Sequence, residues 1–281
     1  MIWKRNKTKN FATEMHHLIS YALYTISSAT HSKPAVIDLG GSDHNVTMVV
    51  TDTMKLLFPT MDNFLGQFAR LTGTYDQNEK MFLEGLVSEG QTIVEIGTNF
   101  GPYSVYMAKK IGSLGMMYCF EPFRLQYQLL TANIAINGLS NVITENVGVG
   151  DWPRREITAD APNFKSADNY GAASLVDMDR KTWVLSDSLR ENVTIIPLDS
   201  YSFKGKIDLI KIDAEGMEHE IVRGASNLIR MHSPIVYAEN SIESLFSEDD
   251  FAVMMQKKFS YICSRPPDLT RHNIILCYPG N

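Results

Sequence analysis

The chain has 281 residues, 44% of them hydrophobic, and its 32 acidic side chains outnumber the 26 Lys and Arg for a formal net charge of −6. That apolar content is enough for one sizeable α/β core with additions, while the acidic balance leaves no basic footprint for DNA or RNA. No apolar run reaches the length that spans a bilayer, and Cys119, Cys263 and Cys277, an odd number in apolar strand-like segments, read as reduced, buried thiols of a cytoplasmic protein.

Residues 1–35 form an extension. Its first residues are basic and 18–29 are mildly apolar, but Glu14, His16 and His17 interrupt the approach, so a packed helix or mobile arm is expected rather than a secretion signal. Residues 36–75 read as a hairpin and lead-in. Val36-Ile37-Asp38-Leu39-Gly40-Gly41 mimics an acid-glycine nucleotide turn, yet residues 46–50 continue as a strand where a helix should begin. The main domain, 76–281, then opens with a helix over 76–88, where Asp76 and Glu79 have the spacing of a helix cap.

A dozen residues from Thr92 carry the strongest signal. Ile93, Val94 and Ile96 suit a strand buried on both faces, Gly97 and Gly101 bracket a tight turn that a ligand can approach, and Pro102 fits the first helical position. Glu95 lies inside the apolar run, where a carboxylate is costly without partners. A second strand, 116–120, ends at Glu121, about twenty residues on, where an acid accepts hydrogen bonds from ribose hydroxyls in dinucleotide-type folds. A helix over 124–137, stopped by Gly138, leads to a third strand at 142–147. Successive βα steps argue for an open, mostly parallel, Rossmann-like sheet with its ligand beyond the strands' carboxyl ends.

Between about 151 and 191 the periodicity fades into Pro, Asn, Asp and Ser with interspersed aromatics, an irregular insertion suited to a substrate lid. A fourth strand, 207–212, delivers Asp213, Glu215 and Gly216 to the same edge, and a fifth, 235–238, delivers Glu239, a candidate for substrate or cofactor contact. Strand-like segments at 259–263 and 274–278 predict a closing antiparallel hairpin. His219 reads as a solvated helical residue, and the remaining histidines show no metal-site spacing.

The glycines at 97 and 101 fall as G-x-x-x-G rather than the G-x-G-x-x-G of nicotinamide sites, which demotes an NAD-dependent oxidoreductase to an alternative. The form E-x-G-x-N-x-G, with Glu121 ending the next strand, instead resembles S-adenosylmethionine-dependent methyltransferases. Asp208-Leu209-Ile210-Lys211-Ile212-Asp213-Ala214-Glu215-Gly216-Met217-Glu218, followed by Val222-Arg223-Gly224-Ala225, resembles the signature of the FkbM-type methyltransferase family. Gly73-Thr74-Tyr75-Asp76, Phe120-Glu121-Pro122, Pro197-Leu198-Asp199 and the segment around Tyr170-Gly171 follow that family's order.

The resemblance implies a class I methyltransferase fold, S-adenosyl-L-methionine as cofactor, and a hydroxyl acceptor on a sugar, glycan or small metabolite. It implies that Glu95, Gly97, Asn99 and Gly101 line the cofactor's methionine end, that Glu121 meets the ribose, and that Asn146 with Val147 forms the adenine edge. Tyr75 is either a further cofactor contact or a surface aromatic beside the helix cap.

Methyl transfer to an alcohol needs a weak nucleophile aligned at roughly 3–3.5 Å and relieved of its proton. Asp213 and Glu215, two residues apart, would point to one side of a continuing strand, and like charges held close raise one pKa, so they are read as the catalytic base with Lys211 holding them in place. The same pair could cradle a divalent cation or cap the following helix. A noncatalytic binding protein that keeps the fold is the remaining alternative.

Overall fold

A computed structural model describes residues 34–40, 45–176, 185–239, 250–267, 269 and 273–280. The expected extension at 1–35 falls almost wholly outside the described residues. The first elements are three antiparallel strands, β1 (Ala35–Asp38), β2 (Val46–Val50) and β3 (Lys55–Pro59), so the expected hairpin gains a third strand. Two helices follow, α1 (Leu65–Thr72) and α2 (Gln77–Leu86), the second capped by Asp76, whose side chain accepts from the Glu79 backbone N–H at 2.9 Å.

Alternating strands and helices then build the main sheet: β4 (Thr92–Ile96), α3 (Pro102–Ile111), β5 (Met116–Phe120), α4 (Arg124–Ile136) and β6 (Val142–Glu145). A small second sheet combines β7 (Gly148–Val149), β8 (Arg155–Pro162) and β9 (Ser188–Ile196) in the order β7-β9-β8. The chain returns through β10 (Leu209–Ile212), α5 (Glu218–Gly224), α6 (Ser226–His232), β11 (Ile235–Glu239), α7 (Phe251–Phe259), β12 (Tyr261–Ser264) and β13 (Ile274–Pro279).

The main sheet has seven strands in the order β12-β13-β11-β10-β4-β5-β6, parallel from β11 to β6, with β13 antiparallel to both its neighbours. Counted within that sheet, the order is 6-7-5-4-1-2-3, the class I methyltransferase arrangement with its closing antiparallel hairpin. The central strands β4, β5 and β10 are mostly apolar because both faces are covered, with Glu95 and Lys211 the charged exceptions. Ile93, Met117 and Leu209 pack under α3 and α4 on one face; Val94, Tyr118 and Ile210 meet Ile221, Val222 and Leu228 on the other. Each such side chain, fully buried, contributes about 1.5–3 kcal/mol.

The N-terminal sheet is fastened to this layer by two asparagines of α4. Asn133 accepts from Leu57 N at 2.6 Å and donates to Leu57 O at 3.0 Å, and Asn137 makes the same pair of bonds to Lys55 at 3.2 and 2.6 Å. Residues four apart on a helix match residues two apart on a strand, so the side-chain amides complete an edge that would otherwise lack partners.

Several expectations are corrected. The segment 151–191 is not irregular throughout: β8 and β9 form a long antiparallel pair, hidden in the sequence because their outer halves are exposed and polar. The helix carrying His219 is broken at Ala225, where a side-chain carbon on Gly224 would lie 1.9 Å from Gly150 O. Phe259 closes α7 rather than opening a strand. Cys263 and Cys277 stand directly opposite each other in the β12–β13 ladder and are disulfide-bonded, leaving Cys119 as a buried free thiol. The expectation of three reduced thiols therefore fails, and the argument from cysteine chemistry to a cytoplasmic location goes with it. Among the described residues no helix is long and apolar enough to cross a membrane.

Candidate functional site

The sheet reverses its winding between β4 and β10, which run parallel with Glu95 beside Lys211 and Ile96 beside Ile212. Crevices in open α/β sheets form beyond the carboxyl ends of such neighbours. Here the two ends nearly touch: a Cβ at Gly97 would sit 1.7 Å from Asp213 O, so any side chain there wedges the strands apart. Gly97 and Asn99 both take left-handed backbone angles, φ 77° and 53°. Gly101 is left-handed too, at φ 78°, and is also required for packing, since its Cβ would meet Leu130 Cδ1 of α4 at 2.4 Å.

A cleft open to solvent lies at this rim. Gly97, Asn99, Glu121, Val147 and Asp213 line it, with Phe123, Met217 and Ile221 supplying apolar wall. From the loop between β8 and β9, Gly171, Ala173 and Leu175 line it as well. That loop is tied to the turn between β3 and α1, where Asn63 N donates to Asp168 O at 3.1 Å.

Glu121 is 3% exposed and holds two main-chain donors, Asn99 N at 2.8 Å and Phe123 N at 3.0 Å. Burial pushes its pKa up to about 8 against the pull of those N–H groups. Asn146 does not line the cleft; it donates to Glu121 O at 2.9 Å and Pro122 O at 3.0 Å and so pins the turn that aims the carboxyl group.

Behind Gly97 lies a second acidic group with a cation at its centre. Lys211 is 1% exposed, with Nζ 3.5 Å from Glu95 Oε1, 3.4 Å from Asp213 Oδ2 and 4.8 Å from the centre of the Tyr103 ring. Glu95 also accepts from Ser104 Oγ. Glu79, reaching in from α2, accepts from Tyr103 OH at 2.6 Å and Tyr237 OH at 2.9 Å. Burial opposes charge on Lys211, but Asp213, Glu95, Glu79 and Glu239 together raise its pKa, so it stays an ammonium. Burial raises Glu95 while Lys211 and Ser104 pull it back, and the ion pair is the state that compensates the lysine. Glu239, at the end of β11, is pushed well up by burial and then by the nearby Asp213 and Glu215 charges, which favours its neutral form.

Asp213 is the member of this group that reaches the cleft, its side chain 28% exposed. Glu215 does not accompany it in the expected way: β10 ends at Ile212, the chain turns, and Glu215 sits at φ 48° with its carbonyl accepting from Ser174 Oγ at 2.7 Å. The alternation of a continuing strand therefore does not apply, and Glu215 is not among the cleft-lining residues. Neither carboxylate caps the next helix. Glu218, the first residue of that helix, instead accepts from Gly216 N at 3.1 Å and Ala214 N at 3.4 Å in the turn before it, and burial raises its pKa to about 7. Among the described residues no group of three or more His, Cys, Asp and Glu is placed to hold a metal ion.

Tyr75 fits neither of its readings. It is buried, donates to Pro102 O at 2.9 Å and packs edge-on against Tyr103, away from both solvent and cleft. His219 is half-buried and edge-on to Phe251 at 5.6 Å rather than solvated. Two residues escaped the sequence reading. Glu79 was legible only as a cap partner, yet it gives its backbone N–H to the cap and turns its carboxylate inward. Gln126, on α4, gave no signal beyond its place three residues after the Pro122 turn; it lines the cleft and donates to Asn99 Oδ1 at 3.0 Å and Tyr170 O at 3.1 Å.

The curated methyltransferase sdnD of Sordaria araneosa is 30% identical over 160 residues, which cover 47% of this chain and 59% of the relative, so the match spans less than two thirds of that protein. Among solved structures, the methyltransferase FkbM from Methylobacillus flagellatus KT is 16% identical, with 77% of this chain and 55% of the other covered at a TM-score of 0.45. A methyltransferase from Geobacter sulfurreducens is 14% identical, with 77% and 86% covered and a TM-score of 0.45. Such scores leave the fold resting on the strand order itself. The sequence model of the methyltransferase FkbM domain matches residues 95–263, more than half of the chain and the whole span from Glu95 through Asp213 to Cys263. The chain belongs to the FkbM methyltransferase family.

Proposed function

We propose that the chain transfers a methyl group from S-adenosylmethionine to a hydroxyl oxygen of a sugar, glycan or other small metabolite. The observation that carries this reading is the cleft at the β4–β10 switch point, where Glu121 and Asp213 are two carboxyl groups of different character facing one space. The residues fit the cofactor: Gly97 leaves no side chain over the rim, the Glu121 carboxyl group retains acceptor capacity for ribose hydroxyls, and Asp213 at the same rim can face a cationic sulfonium. Gly97 and Asn99 would hold the methionine end, with Glu95 fixing the turn from behind, and Val147 would border the adenine. When bound, the cofactor supplies an electrophilic methyl group.

The chain's own part is to orient the acceptor and take its proton. Asp213, which lines the cleft, would receive the hydroxyl proton, and Lys211, 3.4 Å from it and outside the cleft lining, would hold that carboxylate in position. Glu215 and Glu239 do not line the cleft, so neither is assigned contact with the acceptor. The hydroxyl preference rests on the family resemblance.

The test is transfer of a labelled methyl group from S-adenosylmethionine to a panel of sugars and small alcohols, with Asp213→Asn alongside. The expected outcome is labelled ether product, with turnover lowered by about 10²–10⁴-fold in the variant and cofactor affinity held within a few-fold. Tight binding of NAD in place of the sulfonium donor, or full turnover in Asp213→Asn, would overturn the assignment. Donor binding without transfer to any acceptor would point to a noncatalytic protein that keeps the fold.

A further inference from the structure

Gln126 is 2% exposed, and the orientation of its amide is fixed by its neighbours. Its Nε2 donates to the main-chain carbonyl of Tyr170, which cannot turn, and to Asn99 Oδ1. Reversing the amide would set oxygen against oxygen at both contacts. Oε1 is thereby committed to the other side, and it has no hydrogen-bond partner among the described residues although it is buried. Buried acceptors in native proteins are almost always paired, because an unpaired one keeps its full desolvation cost. Gln126 lines the cleft, so a ligand can supply the missing donor.

Asn99 places this oxygen relative to Glu121. Its backbone N–H donates to Glu121 Oε2 at 2.8 Å while its side-chain oxygen receives Gln126, so a single residue of the glycine turn holds both acceptors. Each Glu121 oxygen already takes one main-chain N–H, and the carboxyl group keeps at least one further acceptor site even when it carries its proton. Two acceptor groups on one wall match a ligand that presents two adjacent hydroxyls.

We propose that Gln126 is a cofactor-binding residue: its Oε1 accepts a hydrogen bond from one ribose hydroxyl of the bound nucleoside, and Glu121 serves the other. This rests on the reading of the cleft as the S-adenosylmethionine site. Gln126 then has two functions in one side chain, since its nitrogen clasps the loop at Tyr170 while its oxygen reads the sugar.

The experiment is a calorimetric titration of the full chain with S-adenosylhomocysteine and with its 2′-deoxy and 3′-deoxy analogues, repeated on Gln126→Met, which keeps the length and apolar stem. The wild-type protein is expected to bind each deoxy analogue about 3- to 10-fold more weakly than the parent. In Gln126→Met one of the two penalties disappears and the other stays. Persistence of both penalties in the variant overturns the proposal, because a residue that only clasped the loop, or held a water, would weaken all three ligands alike. If the variant does not fold, the wild type still decides: equal affinity for the parent and both analogues overturns it. Failure of the wild type to bind S-adenosylhomocysteine at all would instead remove the cofactor reading on which the proposal stands.

Discussion

Two groups of buried acids lie on either side of Gly97, and they are neutralised by different means. Glu121, at the end of β5, meets only main-chain N–H groups and no cation, so burial dominates and lifts its pKa to about 8. Glu95 and Asp213 share the ammonium of Lys211, which sits at the centre of four carboxyl groups. Hydrogen-bond donors satisfy a carboxyl group without fixing its charge, whereas a buried cation requires anions around it. The first arrangement suits recognition of neutral hydroxyls. The second suits holding a carboxylate ionised and oriented where a proton has to be taken.

The contrast breaks most sharply at Lys211. Lys211→Met leaves Glu95 buried without its cation, and urea unfolding is expected to show a loss of about 3–5 kcal/mol. Adding Glu95→Gln should restore part of that loss, since the charge left behind is the main cost. A single variant as stable as the wild type would mean the ion pair is not the organising contact.

On the other side of Gly97 the expected effect is smaller and depends on pH. Glu121 has a folded-state pKa of about 8 against an ordinary value of 4.5, so between these pH values the native state retains a proton that the unfolded chain has released. Stability therefore falls as pH rises through that window and levels off above it. Glu218, raised to about 7, adds to the same slope over a narrower range. Glu121→Gln should flatten the dependence of melting temperature on pH between about 5 and 8, and an unchanged slope would show that Glu121 stays ionised in the folded protein.

The parts legible in the sequence were those whose physics is local. Parallel strands covered on both faces read as apolar runs, and the acids that follow them, Glu121 and Asp213, stand out by contrast. Asp76 revealed the start of α2 for the same reason. The rest depended on register and on side chains that turn away from their nearest neighbours. Asn133 and Asn137 look like ordinary polar helix residues until β3 is laid against them. Cys263 and Cys277 become partners only once the hairpin register is known. Glu79 has the spacing of a cap residue and the task of a buried acceptor, and Tyr75 was misplaced because nothing near it in sequence announces that Pro102 and Tyr103 enclose it. β8 escaped notice because one end of it faces solvent and breaks the apolar alternation.

The most direct measurement is the crystal structure of the full chain with S-adenosylhomocysteine. The ribose is expected against Glu121 and Gln126, the adenine beside Val147, and the sulfur on the side of the cleft where Asp213 opens to solvent. A nucleoside bound elsewhere, or one whose sulfur faces away from Asp213, would contradict the assignment of this rim as the site of methyl transfer.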